Sequence, residues 1–166
     1  MINTYNLFAV PLTHSKFPVP VNLHQKIISY VEKNYTEDQV ASCVQGFQFH
    51  GDFDGKKELV DTLNKYLNNI LKLNIEHSWL NVLSNNSYNQ PHVHNGDDVT
   101  HSGVFYLSHE NNNIHFTKDS NVFEMKPKIF DLIIFPYNLA HYVLPEKRIE
   151  KRICFAFNLT YTRKGE

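Results

Sequence analysis

The chain is notable first for what is scarce in its 166 residues. It has two cysteines, Cys43 and Cys154, far apart and outside any Cys-x-x-Cys arrangement. That excludes a disulfide framework and a paired-thiolate metal site, and it fits a reduced, cytoplasmic setting. Charge of one sign is not in excess either. Sixteen basic residues against seventeen acidic ones leave −1, so nucleic acid is not expected as the main partner and a polyanionic substrate is weakly disfavoured. No apolar run approaches the ~20 residues that span a bilayer, and Met1-Ile2-Asn3-Thr4-Tyr5 does not open a basic-then-apolar leader. No membrane partner is expected. Internal repeats and long low-complexity tracts are also missing.

What is present is aromatic and apolar. Twelve Phe and nine Tyr, in a chain that is 42% hydrophobic, suit strands around a large interior and leave room for a homodimer interface. The length fits one domain, residues 1–166. Residues 1–75 read as an N-terminal strand and helical support. The run Leu7 to Leu12 reads as a short strand, and Pro18 and Pro20 mark a loop. Leu23, Ile27, Tyr30 and Val31 then share a helical face, with Asn22 as N-cap. Residues 36–54 read as irregular. Leu59, Val60, Leu63, Leu67, Ile70 and Leu71 recur at helical spacing after Asp54-Gly55, and Glu58 sits where the helix dipole favours negative charge.

Residues 76–166 change texture. Short runs rich in aromatic and β-branched residues alternate with Asn, Asp, Gly and Pro clusters. Strands are expected at 78–84, 91–94, 102–108, 113–117, 121–126, 131–135, 141–144 and 152–161, with Asn111-Asn112-Asn113 as a hairpin tip. That density predicts a mainly β fold, a jelly-roll-like barrel with two N-terminal helices outside it.

Ten histidines direct attention to metal chemistry. His92 and His94 are two apart, so on a strand they share a face. His141 follows the apolar run Leu132 to Pro136, which places it at the mouth of a buried strand where both ring nitrogens need partners. Three imidazoles on one small barrel could hold one face of a metal and leave positions open. The competing readings are a polar hairpin of solvated histidines and a hydrogen-bonded core His141. Asp97 and Asp98 add a choice. They form a charged turn after Asn95-Gly96, or one replaces His94, because a facial triad usually takes a carboxylate third.

Arg152 opens the last strand. If the small residues line the barrel, Arg152 faces inward with Cys154, Ala156 and Asn158, and Ile153, Phe155 and Phe157 face away. A buried guanidinium requires an anion. Either a ligand carboxylate supplies it, or Asp131 or Glu146 does. Lys147, Arg148 and Lys151 read as a solvated turn. His14, His24, His50, His77 and His109 lack any motif, and His101 and His115 read as surface or filler near the strands.

The ordered blocks resemble the 2-oxoglutarate- and Fe(II)-dependent oxygenases. They are Trp79-Leu80-Asn81-Val82, Pro91-His92-Val93-His94, Ser102 to Leu107, Phe130 to Pro136, His141 with Val143 and Pro145, and Arg152 to Asn158. The likeness spans about residues 78–161 and is strongest to small bacterial and phage members with His-x-His in place of His-x-Asp. The resemblance implies a double-stranded β-helix (jelly-roll, cupin-like) with Fe(II) at one open end. It implies His92 and His141 as ligands, and His94 where a carboxylate usually stands. It implies Arg152 on the distal carboxylate of 2-oxoglutarate, aided by a hydroxyl from Tyr106, Ser102 or Tyr88. The implied reaction uses O2 to hydroxylate a substrate while 2-oxoglutarate becomes succinate and CO2. Two alternatives are a three-His cupin-type dioxygenase without 2-oxoglutarate, and a non-catalytic jelly-roll binding or structural protein. The substrate is not named by these residues.

Overall fold

A computed structural model describes residues 2–7, 10–36, 38–109, 112–147 and 150–162. Among them run β1 (Ile2–Leu7), β2 (Val10–Lys16), α1 (Val21–Asn34), β3 (Asp38–Val40), β4 (Cys43–Phe49), α2 (Lys56–Leu71) and β5 (Leu73–Leu83). Then follow β6 (Tyr88–His92), β7 (His101–Tyr106), β8 (Ile114–Lys118), β9 (Asn121–Met125), β10 (Asp131–Pro136), β11 (Ala140–Val143) and β12 (Arg152–Tyr161).

The strands form one curled sheet in the order β1-β2-β10-β7-β12-β5-β4-β6-β11-β8-β9, with β3 on β4. β4 is where the sheet turns over. Its Phe47, Gln48 and Phe49 pair with β5, while Cys43 and Val44 pair with β6. The two halves then face each other, and Phe116 of β8 meets Phe135 of β10 edge-on, with ring centroids 4.9 Å apart. This is the jelly-roll, double-stranded β-helix expected.

Alternation along the central strands divides their apolar residues between two large cores. Ile153, Phe155 and Phe157 of β12, with Phe105, Leu132 and Ile134, pack against Leu23, Ile27 and Val31 of α1 and Leu59, Leu63 and Leu67 of α2. The intervening residues Cys154, Val104, Tyr106, Ile133 and Phe135 point into the barrel with Ile114 and Phe116. Strands buried on both faces read as unbroken apolar runs, as 132–135 does. Each helix contributes a stripe at i, i+4 spacing. Fully burying one such side chain stabilises the fold by roughly 1.5–3 kcal/mol.

Several expectations are corrected. The run Leu7 to Leu12 is not one strand. It spans the β1–β2 hairpin, whose residues 8 and 9 lie outside the described residues. Helix α1 begins at Val21 with Pro20 as N-cap, so Asn22 is inside the helix; the buried Val19 pins the preceding segment to the core. Residues 36–54 are not irregular, since they contain β3 and β4. Gln45 in β4 has φ 54, and Gly46 follows it, which breaks the period-2 signal. Asn112 and Asn113 lie on the connection between β7 and β8, two strands that do not pair, and Asn111 lies outside the described residues. The hairpin tip is Asp119-Ser120, both at positive φ, 49° and 64°, as a tight turn between β8 and β9 needs. No described helix is long and apolar enough to cross a membrane.

Candidate metal centre

β6 ends at His92 rather than running through His94. His94 still lies against the barrel because its backbone N–H donates to the Tyr137 carbonyl at 2.9 Å. His92 is registered opposite His141 of β11. The outcome is convergence. Ring centroids are 4.2 Å apart for His92–His141, 5.1 Å for His94–His141 and 5.4 Å for His92–His94. One ligand nitrogen from each lies within 4.8 Å of the others.

The outer hydrogen bonds orient all three rings alike. His92 Nδ1–H donates to the Gln90 carbonyl at 2.7 Å, and His141 Nδ1–H to the Leu139 carbonyl at 3.0 Å. His94 Nδ1–H donates to Asn158 Oδ1 at 2.5 Å. In that tautomer each Nε2 keeps its lone pair for the shared space, the arrangement that metal-ligating histidines adopt. Ser42 Oγ, 3.3 Å from His92 Nε2, is its protein neighbour there. Burial holds the His92 and His94 rings below the ordinary histidine range. Burial, then the two neighbouring rings, hold His141 well below it. Neutral imidazoles are the form that binds a metal.

Asn158 is a residue the sequence reading placed on the inward face without a role. The signal was available: it is the last inward residue of a strand whose first inward residue is Arg152. Asn158→Ala is expected to weaken metal binding roughly 10–100-fold, as loss of an outer partner does. Chelator competition measures it, and Asn158→Asp, which retains the acceptor oxygen, should recover most of the affinity.

Asp97 and Asp98 sit in an exposed turn, outside the cluster of three histidines. His115 is buried against Tyr142, with centroids 4.8 Å apart, and His101 packs on Tyr161. Neither joins the cluster.

Arg152 is 2% exposed. Its Nη2 lies 3.3 Å from the Tyr106 hydroxyl and its Nη1 3.3 Å from Cys154 Sγ. Among the described residues no carboxylate is within ion-pair distance, and Nε has no hydrogen-bond partner. The acids that might have paired with it are elsewhere. Asp131 binds Lys16 at 2.9 Å, and Glu146 is exposed. Burial raises the pKa of the Tyr106 hydroxyl, so it remains a donor. Ser102 is buried on β7 with its Oγ unpartnered, but it is registered opposite Asn158, at the far end from Arg152. Tyr88, half-buried on β6, does not line the cavity around Arg152.

Two spaces meet at the histidines. A cavity of about 40 Å³ holds His92, His94, His141, Arg152, Cys154 and Ala156 in its wall. A groove of about 830 Å³ opens outward past Trp79, His50, His94 and Asn158. Trp79, the chain's single tryptophan, stacks on His50 at 5.3 Å and stands 5.5 Å from His94.

Comparison with known proteins adds a match over part of the chain. The family model described as "Putative 2OG-Fe(II) oxygenase" matches residues 109–158, a span that holds His141 and Arg152. Over that span the chain is similar to the 2-oxoglutarate- and Fe(II)-dependent oxygenases.

Solved structures carry the same fold. A Pseudomonas putida prolyl-4-hydroxylase is 16% identical, with 90% of this chain and 92% of that one covered and a TM-score of 0.64. HygX from Streptomyces hygroscopicus, with nickel and 2-oxoglutarate bound, is 9% identical over 91% and 83%, TM-score 0.65. The viral collagen prolyl hydroxylase of Paramecium Bursaria Chlorella virus-1 is 18% identical over 89% and 96%, TM-score 0.60. No curated protein matches the sequence. Members of the family take Fe(II) and 2-oxoglutarate as cofactors, with O2 and a substrate as co-reactants. The residues here fit both groups. Three neutral imidazoles point their free nitrogens at one space, and the buried guanidinium beside them has no anion among the described residues.

Proposed function

We propose that this oxygenase hydroxylates an organic substrate lying in the Trp79 groove, with Fe(II) held by His92, His94 and His141 and 2-oxoglutarate anchored by Arg152. The observation that carries the reading is the fully buried Arg152, with no carboxylate at ion-pair distance among the described residues, in the same cavity wall as the three imidazoles.

When bound, Fe(II) and 2-oxoglutarate together activate O2, giving succinate, CO2 and a hydroxylated substrate. The side chains supply position and charge. Each imidazole offers Nε2 while its Nδ1–H stays on a fixed acceptor. Arg152 offers a planar fork that sets the direction of a carboxylate as well as its place. Tyr106 adds a hydroxyl donor beside that fork. Cys154 and Ala156, the small residues between Arg152 and Asn158 on the inward face of β12, leave room for the keto acid. Trp79 and His50 wall off water on the groove side.

Charge supports a dianionic cosubstrate. Three neutral ligands cancel none of the metal's charge, and Arg152 adds one more positive charge in a low-dielectric interior. A dicarboxylate offsets both. The reading also takes the chain as one catalytic unit acting in the cytoplasm, with its site built from a single copy and without nucleic acid.

The test is succinate release by the Fe(II)-loaded protein with 2-oxoglutarate and O2, across a substrate panel. Prolyl peptides and hygromycin B come first, because similar folds belong to prolyl hydroxylases and to HygX, which has been solved with hygromycin B. Succinate formation that needs Fe(II) is the expected result. Iron-dependent O2 uptake indifferent to 2-oxoglutarate would overturn it in favour of a three-His dioxygenase.

A further inference from the structure

One edge of β5 is open where it runs toward the imidazoles. β12 lies beside β5 from Leu73 to Leu83, with Glu76 left over at a bulge. On the other side β4 matches only Leu80, Asn81 and Val82. From Leu73 to Trp79 no described strand pairs with that side.

The paired part fixes the direction of the backbone. The Val82 carbonyl faces β4, since a Cβ added to Gly46 would stand 2.7 Å from it. In an antiparallel sheet the backbone groups of every second residue face the same side, so those of Leu80 and Ser78 do as well. Leu80 has Phe49 there, and beside Ser78 lies the Trp79 groove. Further along, the Ile75 N–H reaches across to Asn64 Oδ1 of α2 at 2.7 Å.

The groove follows this edge. Residues 75–79 of β5 form one wall, and Lys56, Lys57 and Val60 of α2 stand in the other. A second groove, of about 1040 Å³, shares Glu76 and His77 with the first and extends it to Asp97 and Asp98. From Trp79 to Glu76 the edge spans about 10 Å, at ~3.3 Å per residue. An unpaired strand edge along a trough is a template for one more strand.

Charge along the trough is uneven. The outer groove is lined by Glu76, Asp97 and Asp98 with no lysine or arginine, and Asp52 stands nearer the imidazoles. The two lysines there are engaged. Lys57 pairs with Asp61, and Lys56 donates to the His50 and Gly51 carbonyls at 3.1 and 3.0 Å. Among the described residues Asp52, Glu76 and Asp97 form no ion pair.

We propose that the substrate is an extended peptide segment that adds as a strand to the open edge of β5, with a lysine or arginine held by Glu76 and Asp97 and the residue to be hydroxylated beside Trp79. The inference rests on the oxygenase reading above. Main-chain hydrogen bonds along the edge give affinity whatever the sequence, and the acidic end selects. The cationic residue then stands roughly three positions from the hydroxylated one.

The probes are fluorescein-labelled nonapeptide pools, randomised except at one position that carries Lys in one series and Glu in the other. Each is titrated by anisotropy into nickel-loaded protein holding 2-oxoglutarate, which does not turn over. Lys pools should bind roughly fivefold tighter than Glu pools at low salt, and added salt should shrink the difference. Glu76→Lys combined with Asp97→Lys should reverse the preference. Ser78→Pro removes an N–H on the open side and spares the β12 ladder. It should weaken both series roughly fivefold, with nickel and 2-oxoglutarate affinity unchanged. If proline lowers the melting temperature, the tightest pool remade with N-methyl groups at alternate residues tests the same hydrogen bonds from the peptide side, and weaker binding is expected. Equal binding of the Lys and Glu series, or a Lys preference that survives the double reversal, overturns the acidic end. N-methylation without effect overturns the added strand. If wild-type nickel protein takes up no 2-oxoglutarate, the oxygenase reading fails. If it takes up 2-oxoglutarate and binds no pool, only the peptide inference fails.

Discussion

Arg152→Met is expected to remove 2-oxoglutarate-dependent turnover while the metal stays bound. Methionine fills much of the same space without charge. Truncating one member of a buried, hydrogen-bonded charge pair costs about 2–5 kcal/mol, so cosubstrate affinity should fall on the order of 10²–10³-fold. The effect on stability should have the opposite sign. In the protein without cosubstrate Arg152 is buried with only a hydroxyl and a thiol as partners. Replacing an uncompensated buried charge with an apolar side chain is neutral or stabilising. Calorimetry with 2-oxoglutarate and a melting curve measure the two. Wild-type affinity in the variant would remove Arg152 from the site. A large drop in melting temperature would mean that the guanidinium holds the barrel together instead.

The second large effect is expected at His141. His141→Ala should lower metal affinity by more than the roughly 10–100-fold that an outer partner costs, because a bond to the metal is lost rather than its orientation. His115→Ala is the control. That ring is 8% exposed against 6% for His141 and lies outside the cluster, so its loss should leave metal affinity unchanged while costing similar packing. Stoichiometric metal at wild-type affinity in His141→Ala would show that the three rings meet for another reason. His94→Ala, measured alongside, reads the position where a carboxylate usually stands.

The sequence was legible where chemistry and periodicity agree. β12 runs over the residues expected of it, 152–161, because its alternation of small and large apolar residues has no competing helical pattern. Helix α2 was plain from leucines at i, i+4. The convergence of His92, His94 and His141 was also legible, though part of its reason differs. The shared-face argument assumed a strand through His94, and β6 stops two residues earlier. A backbone bond to Tyr137 does what the strand was expected to do.

What escaped notice depended on partners distant in sequence. β4 was hidden by Gln45 and Gly46, yet it is the strand that joins the two halves of the sheet. Asn158 reaches a residue 64 positions earlier, and no spacing rule connects the two. The amides Gln48, Asn81 and Asn89 look like ordinary polar residues in the chain. Their unusual state, each with one buried amide atom unpartnered among the described residues, exists only after folding. The tip expected at Asn111 to Asn113 followed composition alone, whereas the real tip needed two consecutive residues at positive φ.

The alternation of β12 has a consequence for how this protein can change. From Arg152 to Phe157 its odd positions pack against the helices and its even positions face the barrel cavity, so scaffold and site are written on one strand with a stagger of a single residue. Substrate range can then drift through the groove loops and the outer rim while β12 stays fixed. An insertion or deletion of one residue within β12 would exchange the two roles at every position beyond it, and lose fold and activity in one step.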